Sequence, residues 1–590
     1  MRVLFSLLVA AVLLSCSTEP ALLVEHKQST SSGNVTAYAG EEGAIRWLDI
    51  PYAQAPIGDL RWRAPRRLAQ PEAQLSRRDD GVMCPQMPSE TSGVSGDGAI
   101  GTEDCLYLDI VAPPDYQQQA LPVMFWIHGG GNTTGRKGTY DFSRLAVRQS
   151  VVVVTFNYRL GPLGWFTHPA LQRNAEGLDA SSNFGSLDII EALSWTRRNI
   201  AAFGGDPNNI TLFGESAGGH NVYSLLASPL AEGMFQKAIA QSGYSTTATL
   251  SEAVNIDKAD PLVDRGSWEV LEALGIESTS ATSDELRDVD ALELINRYEA
   301  IEKRHYSPLL TADGVVIPNE GLPAALASSV HAKSVPVLAG SNRDEVTLWL
   351  GLNRYFAAGE ELLFGWLPPR LSIKDPELYK HWVSIRSRAW KARGVDAPLD
   401  ALAAGGNEQL YAYRFDWDEQ SDIWLVDFSE QLGAAHGAEI AFVMGAPMYG
   451  SIGRFMYPDS DSAQDMTDIM MSAWGRFAHT GSPGAVQGES WARYTLESPV
   501  TMQLDSLGRS HQVSGRETLQ GLLDEMESPS MLTPMQRCLM LWDTVVNIGR
   551  PQYNLYRQWH GGERATIDAL AEKANIKAAY EREFGSAALR

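Results

Sequence analysis

Several features that would point elsewhere are missing from this chain. Its 590 residues hold only four cysteines, and no Cys/His spacing suggests a metal site. Positive charge is scarce: 48 Lys and Arg stand against 72 Asp and Glu, a formal net charge of −24. That balance argues against nucleic acid as a partner and repels anionic lipid surfaces. No internal repeat is visible. The apolar run Val3 to Leu14 is too short to span a bilayer. What the chain does have is material for a large core, being 44% hydrophobic with 16 tryptophans.

The most informative segment is Ile210-Thr211-Leu212-Phe213-Gly214-Glu215-Ser216-Ala217-Gly218-Gly219. A β-prone run leads into Gly-x-Ser-x-Gly, and a helical pattern follows to Ala227. This is the order a nucleophile elbow requires. A serine on a cramped strand-to-helix turn keeps its hydroxyl exposed, and flanking glycines avoid Cβ clashes.

A nucleophilic serine needs a base, an acid behind it and donors for the oxyanion. In such sheets the partners follow in the order Ser, acid, His. Of the late histidines His436, His479, His511 and His560, His436 stands out among small residues in Gly433-Ala434-Ala435-His436-Gly437-Ala438. His479 reads as the end of a helix, where a cation suits the dipole. Val335 to Gly340 has the character of a sheet strand, followed by Ser341-Asn342-Arg343-Asp344-Glu345. Either Asp344 or Glu345 can orient the imidazole, and spacing does not choose between them. Val123-Met124-Phe125-Trp126-Ile127 is another apolar strand, ending in His128-Gly129-Gly130-Gly131. An HGGG-type turn presents bare N–H groups where negative charge develops, and Ala217 after the serine supplies another.

Taken together, these blocks resemble the type-B carboxylesterase/cholinesterase family of α/β-hydrolases. Further matches are Glu103-Asp104-Cys105-Leu106-Tyr107-Leu108, Asn157-Tyr158-Arg159-Leu160-Gly161, Phe203-Gly204-Gly205-Asp206-Pro207 and Gln241-Ser242-Gly243. They run in the family's order over residues 34 to 545. The resemblance implies an α/β fold with a mostly parallel central sheet, flanking helices and helical insertions over the site. It implies a triad of Ser216, Glu345 and His436, and an oxyanion hole of Gly130, Gly131 and Ala217. It also implies a surrounding set of Glu215, Ser242 and Glu439, and a disulfide between Cys84 and Cys105. The activity implied is serine carboxylesterase, with a small-molecule ester as substrate and no cofactor.

Four segments are expected: a signal peptide at 1–15, a tether at 16–33, the hydrolase domain at 34–546 and a helical extension at 547–590. Arg2 with the apolar run to Leu14 suits a signal sequence. Leu13-Leu14-Ser15-Cys16 resembles a bacterial lipobox with Cys16 as lipid-bearing residue, a plain signal peptide being the alternative. Export to a bacterial membrane, periplasmic or outer, with contact only through that anchor, is the expected location. The polar, Ser-rich stretch Gln28 to Asn34 suits a tether. Cys538 is left over as a buried thiol. Residues 245–333 and 346–431 are expected to be helix-rich insertions, and Ala565 to Ala571 to begin an amphipathic helix that docks on the domain or meets a partner.

Between Cys84 and Cys105 there is no Trp, Tyr or Phe. Cholinesterases hold a quaternary ammonium there by cation–π attraction, so choline esters are disfavoured. Asn132 after the glycines should make that wall polar, while Trp165, Trp349 and Trp366 are pocket or core. The rival readings are lipase or amidase activity, or a catalytically silent binding module on the same fold. The absence of a long apolar lid segment argues against a true lipase. Every triad position is filled, which argues against the silent module.

Overall fold

The structure is a computed structural model that describes residues 21–75, 82–89, 94, 96–362, 367–448, 453–527, 532–546, 549–559 and 568–588. The expected signal peptide, Cys16 and Trp366 lie outside the described residues.

Twelve strands of the described residues form one sheet. The first four are β1 (Leu22–Thr30), β2 (Gly33–Ala39), β3 (Ile45–Pro51) and β4 (Tyr107–Ala112). The middle of the sheet is β5 (Leu121–Ile127), β6 (Val152–Phe156), β7 (Gly205–Glu215) and β8 (Lys237–Gln241). It continues with β9 (Val337–Asn342), β10 (Leu410–Phe415), β11 (Val500–Leu504) and β12 (His511–Ser514). In space they run β1-β2-β3-β4-β6-β5-β7-β8-β9-β10-β11-β12. From β6 to β11 every neighbouring pair is parallel. The outer pairs are antiparallel.

The sequence explains the layering. All seven residues of β5 are buried, as a parallel strand covered on both faces must be. Val123, Phe125 and Ile127 enter one core, whereas Met124 and Trp126 enter the other. The first core is closed by helices α1 (Phe184–Asn199) and α2 (Ala217–Ala227), through Leu187, Leu193, Val222 and Leu225. A layer above the site contains α3 (Pro376–Lys391), capped by Asp375, whose side chain accepts from Leu378 N at 3.0 Å. The second core is closed by α4 (Ala438–Met444) and α5 (Asp461–Thr480), through Val443, Met466 and Trp474. A third cluster joins α3 to α6 (Pro534–Val545) through Trp382, Ile385, Leu539 and Trp542.

Three expectations are corrected or sharpened. Residues 22–33, expected within the tether, form the edge hairpin of the sheet instead. Trp47 Nε1 donates to His26 O at 2.8 Å and Gln28 Nε2 to Tyr116 Oη at 2.7 Å, so a polar strand with one wet face is held by its inner partners. Residues 346–431 are less helical than expected. They include sheet strand β10 and an antiparallel hairpin of Ala357–Leu362 with Leu367–Ile373. The last helix, α7 (Ala569–Phe584), docks on the domain: Lys573 pairs with Asp543 of α6, and Arg354 Nε donates to Ser586 O at 3.0 Å. The residues at which it was expected to begin, 565–567, lie outside the described residues.

Candidate active site

The carboxyl ends of β5, β7 and β9 carry His128 to Gly131, Ser216 and Glu345, at and beside the point between β5 and β7 from which the chain runs to opposite sides, β5 to β6 and β7 to β8. Open parallel sheets bind ligands at such a place.

Ser216 follows β7 with φ 57° and ψ −120° and opens α2. A side-chain-bearing residue in this region is strained. The turn is tight enough to require the neighbouring glycines. A Cβ on Gly214 would lie 2.7 Å from Ile127 O, and one on Gly218 only 2.0 Å from the same oxygen. Ser216 N donates to Gln241 O at 2.9 Å, tying the elbow to the next strand.

Opposite lies the glycine turn. Gly130 and Gly131 have φ +93° and +63°, and Gly130 O accepts from both Thr133 N and Thr134 N at 3.0 Å. Among the described residues, the N–H groups of Gly130, Gly131 and Ala217 donate to no protein acceptor. They are thus available to an oxyanion. Tyr158 braces the turn, its hydroxyl donating to His128 O at 2.7 Å and its ring stacked on the His128 imidazole at 4.3 Å. Burial pushes the His128 pKa down to about 4, so the ring is neutral. Asn132, expected as a polar wall, is buried, and its Oδ1 accepts from Asn221 Nδ2 of α2 at 2.9 Å. The disulfide Cys84–Cys105 is present, and the Gln86 side chain beside it exchanges hydrogen bonds with Gly135 N and O at 2.8 and 2.9 Å. Cys538 is fully buried.

His436 Nδ1 lies 2.5 Å from Glu345 Oε2. Glu345 Oε1 accepts from Ser242 Oγ at 2.6 Å and Asn342 N at 2.7 Å. Asp344 faces away, bonded to the Arg343 guanidinium at 2.7 Å and to Ala434 N at 3.1 Å. Of the two acids that spacing left open, Glu345 is the one in contact with the ring. Glu439 reaches the site through Asn342, whose Nδ2 donates to it at 2.6 Å, and through Gln241 Nε2 at 3.1 Å. The other ring nitrogen, Nε2, stands 3.1 Å from Glu215 Oε1. Ser216, next in the chain to Glu215, makes no hydrogen bond with the ring, and catalytic hydrogen bonds often tighten only in the substrate complex.

Electrostatics follow from three buried carboxyl groups around one imidazole. Burial alone lowers the His436 pKa, but the charges of Glu215 and Glu345 outweigh it and hold it up at about 9. Burial raises Glu215 to about 8, and burial also raises Glu439.

Two tryptophans cover the imidazole. Trp390, near the end of α3, and Trp349 have ring centroids 4.8 and 5.1 Å from it and stack on each other at 5.9 Å. Trp390 Nε1 donates to Ser242 O at 3.1 Å, and a π-helical turn at Ala392–Asp396 follows α3. Trp349 was a pocket candidate from sequence, and Trp390 was missed. Trp165 is core. Beside the tryptophans opens a cavity of about 670 Å³, lined also by Gly131, Asn132 and His220.

Comparison with known proteins agrees with this geometry. The profile of the Carboxylesterase family matches residues 20–361 and 384–519. The para-nitrobenzyl esterase of Bacillus subtilis (strain 168) is 35% identical over 480 residues, covering 79% of this chain and 92% of that protein. The fumonisin B1 esterase of Sphingopyxis macrogoltabida is 33% identical over 536 residues, covering 84% and 89%. A solved PNB esterase superposes with TM-score 0.63 at 30% identity, covering 83% of this chain and 97% of that one. The chain belongs to the carboxylesterase family and is a carboxylic ester hydrolase.

Proposed function

We propose that this enzyme hydrolyses small-molecule carboxylic esters through an acyl-enzyme on Ser216. The supporting observation is the Glu345–His436 contact at 2.5 Å beside a positive-φ serine and three unused amide donors. In this reading His436 takes the Ser216 proton as the hydroxyl attacks the ester carbonyl. The N–H groups of Gly130, Gly131 and Ala217 hold the oxyanion, and Glu345 keeps Nδ1 protonated. His436 then gives the proton to the departing alcohol, and water releases the acid by the same steps. Glu215, Ser242 and Glu439 position the imidazole and its carboxylate.

A fluorophosphonate probe tests this. The expected result is one adduct, on Ser216, with loss of ester hydrolysis. A folded protein that hydrolyses no ester and takes no label would instead be a silent binding module.

We also propose export as a lipoprotein, with Cys16 as the modified residue and residues 1–15 removed. The lipobox-like Leu13-Leu14-Ser15-Cys16 supports this, as does a disulfide that requires an oxidising compartment. Since the sheet begins at Leu22, the tether reduces to the few residues before it. Mass spectrometry of the mature N-terminus is the test, and an unmodified Cys16 in a membrane-free fraction refutes it.

A further inference from the structure

The cavity beside Trp349 and Trp390 reverses the charge of the protein. Among the described residues its wall carries Arg265, Lys303, Arg304, Arg386 and Arg393 against a single carboxylate, Glu299. Composition favours the opposite, with 72 acidic residues to 48 basic ones.

Some of this charge is matched. Glu299 holds Arg265 at 3.1 Å, and Glu302 holds Arg304 at 2.6 Å out at the surface. Two others are less closely matched. Lys303 makes no ion pair among the described residues. Arg386 has only Asp543, at 3.6 Å, and its Nε is buried without a hydrogen-bond partner. Cations gathered in a partly desolvated wall repel one another, and the Lys303 ammonium shows it. Desolvation, and after it the charge of Arg265, lower its pKa, outweighing the carboxylates of Glu299 and Asp264 that act to raise it. An anion entering the cavity relieves both effects.

We infer that this esterase selects esters that also carry a carboxylate, bound in the cavity by Lys303 and Arg386 while the ester carbonyl lies at Ser216. The inference rests on the reading of Ser216 as nucleophile. The chemistry is ordinary hydrolysis. One ester C–O bond breaks, water supplies OH to the acyl carbon and H to the alcohol, and the recognition carboxylate is unchanged. The shared wall explains how one ligand spans both parts: Trp349 and Trp390 touch the imidazole and line the cavity.

The test uses two isosteric pairs, 4-acetoxybenzoate with 4-acetoxybenzamide, and monophenyl adipate with its terminal amide. At least one carboxylate should exceed its amide in kcat/KM by about tenfold, corresponding to about 1.4 kcal/mol, chiefly through KM. Added salt should shrink that ratio. Both Lys303→Gln and Arg386→Gln should lower it, and Lys303→Gln alone decides if the more buried arginine variant does not fold. A wild-type ratio near one for both pairs, or a ratio unchanged in Lys303→Gln, overturns the inference. In that event, turnover of the amides with normal fluorophosphonate labelling leaves the nucleophile assignment intact. No turnover and no label means that assignment has failed instead.

Discussion

Glu215 sets a carboxylate oxygen 3.1 Å from His436 Nε2, on the ring edge that must receive the serine proton. The contact stabilises imidazolium, yet a general base must be neutral before it can act. The His436 pKa is held at about 9 against burial by Glu215 and Glu345. The pH profile of kcat/KM should therefore rise on its acid side above the ordinary histidine value of about 6.5. Glu215→Gln should move that limb to lower pH. A limb that stays in place would show that Glu215 does not act on the ring.

The neighbouring acids Asp344 and Glu345 should behave very differently. Glu345→Gln removes the charge behind His436 Nδ1 and should lower kcat by roughly 10⁴. Asp344→Asn weakens only the link to Arg343 and Ala434 N, and steady-state rates should remain close to wild type. Equal losses in the two variants would contradict the geometry.

Gly130→Ala should damage the turn that presents the oxyanion donors. Its Cβ would lie 2.2 Å from Thr134 O at a φ of +93°, so the peptide must rotate. Kcat should fall by roughly 10²–10³ while KM changes little, as for loss of one oxyanion donor. Single-turnover kinetics separate this from slow deacylation.

Arg159 and Asp188 form a buried pair, with Nη2 to Oδ1 at 2.7 Å and a second bond from Nε to Oδ2 at 2.7 Å. Burial raises the Asp188 pKa despite the opposing charge of Arg159. Arg159→Met should cost about 3–5 kcal/mol in urea unfolding, because it leaves a buried charge without its partner. Adding Asp188→Leu should recover much of that loss.

Chemistry confined to short stretches was legible in the sequence. Gly214 to Gly219 names its own turn, because steric clash leaves only glycine at the flanks. The His128 to Gly131 run and the setting of His436 were readable for similar reasons. Asp344 and Glu345 were not separable, since one residue of rotation in a loop exchanges their roles. Asn342, Gln241 and Trp390 carried no local signal. Asn342 and Gln241 reach Glu439, and Trp390 covers His436, through strand register and helix packing that only the folded chain creates. Leu22 to Thr30 resembled a linker because an edge strand needs few apolar residues when one face is wet. Strand β10 was hidden between helical stretches, its Tyr411, Tyr413 and Arg414 giving no clean alternation.

The family profile stops at residue 519, yet the chain continues into the architecture of the entrance. Val546, Gly549 and Pro551 contribute to the basic cavity, and Leu570, Lys573 and Tyr580 of α7 to the hollow adjoining it. The cavity wall is thus built partly by residues beyond the matched profile. Trimming the chain at that point would strip Leu539 and Trp542 from the core they share with α3, the helix that carries Trp390 over the imidazole, along with part of the cavity wall.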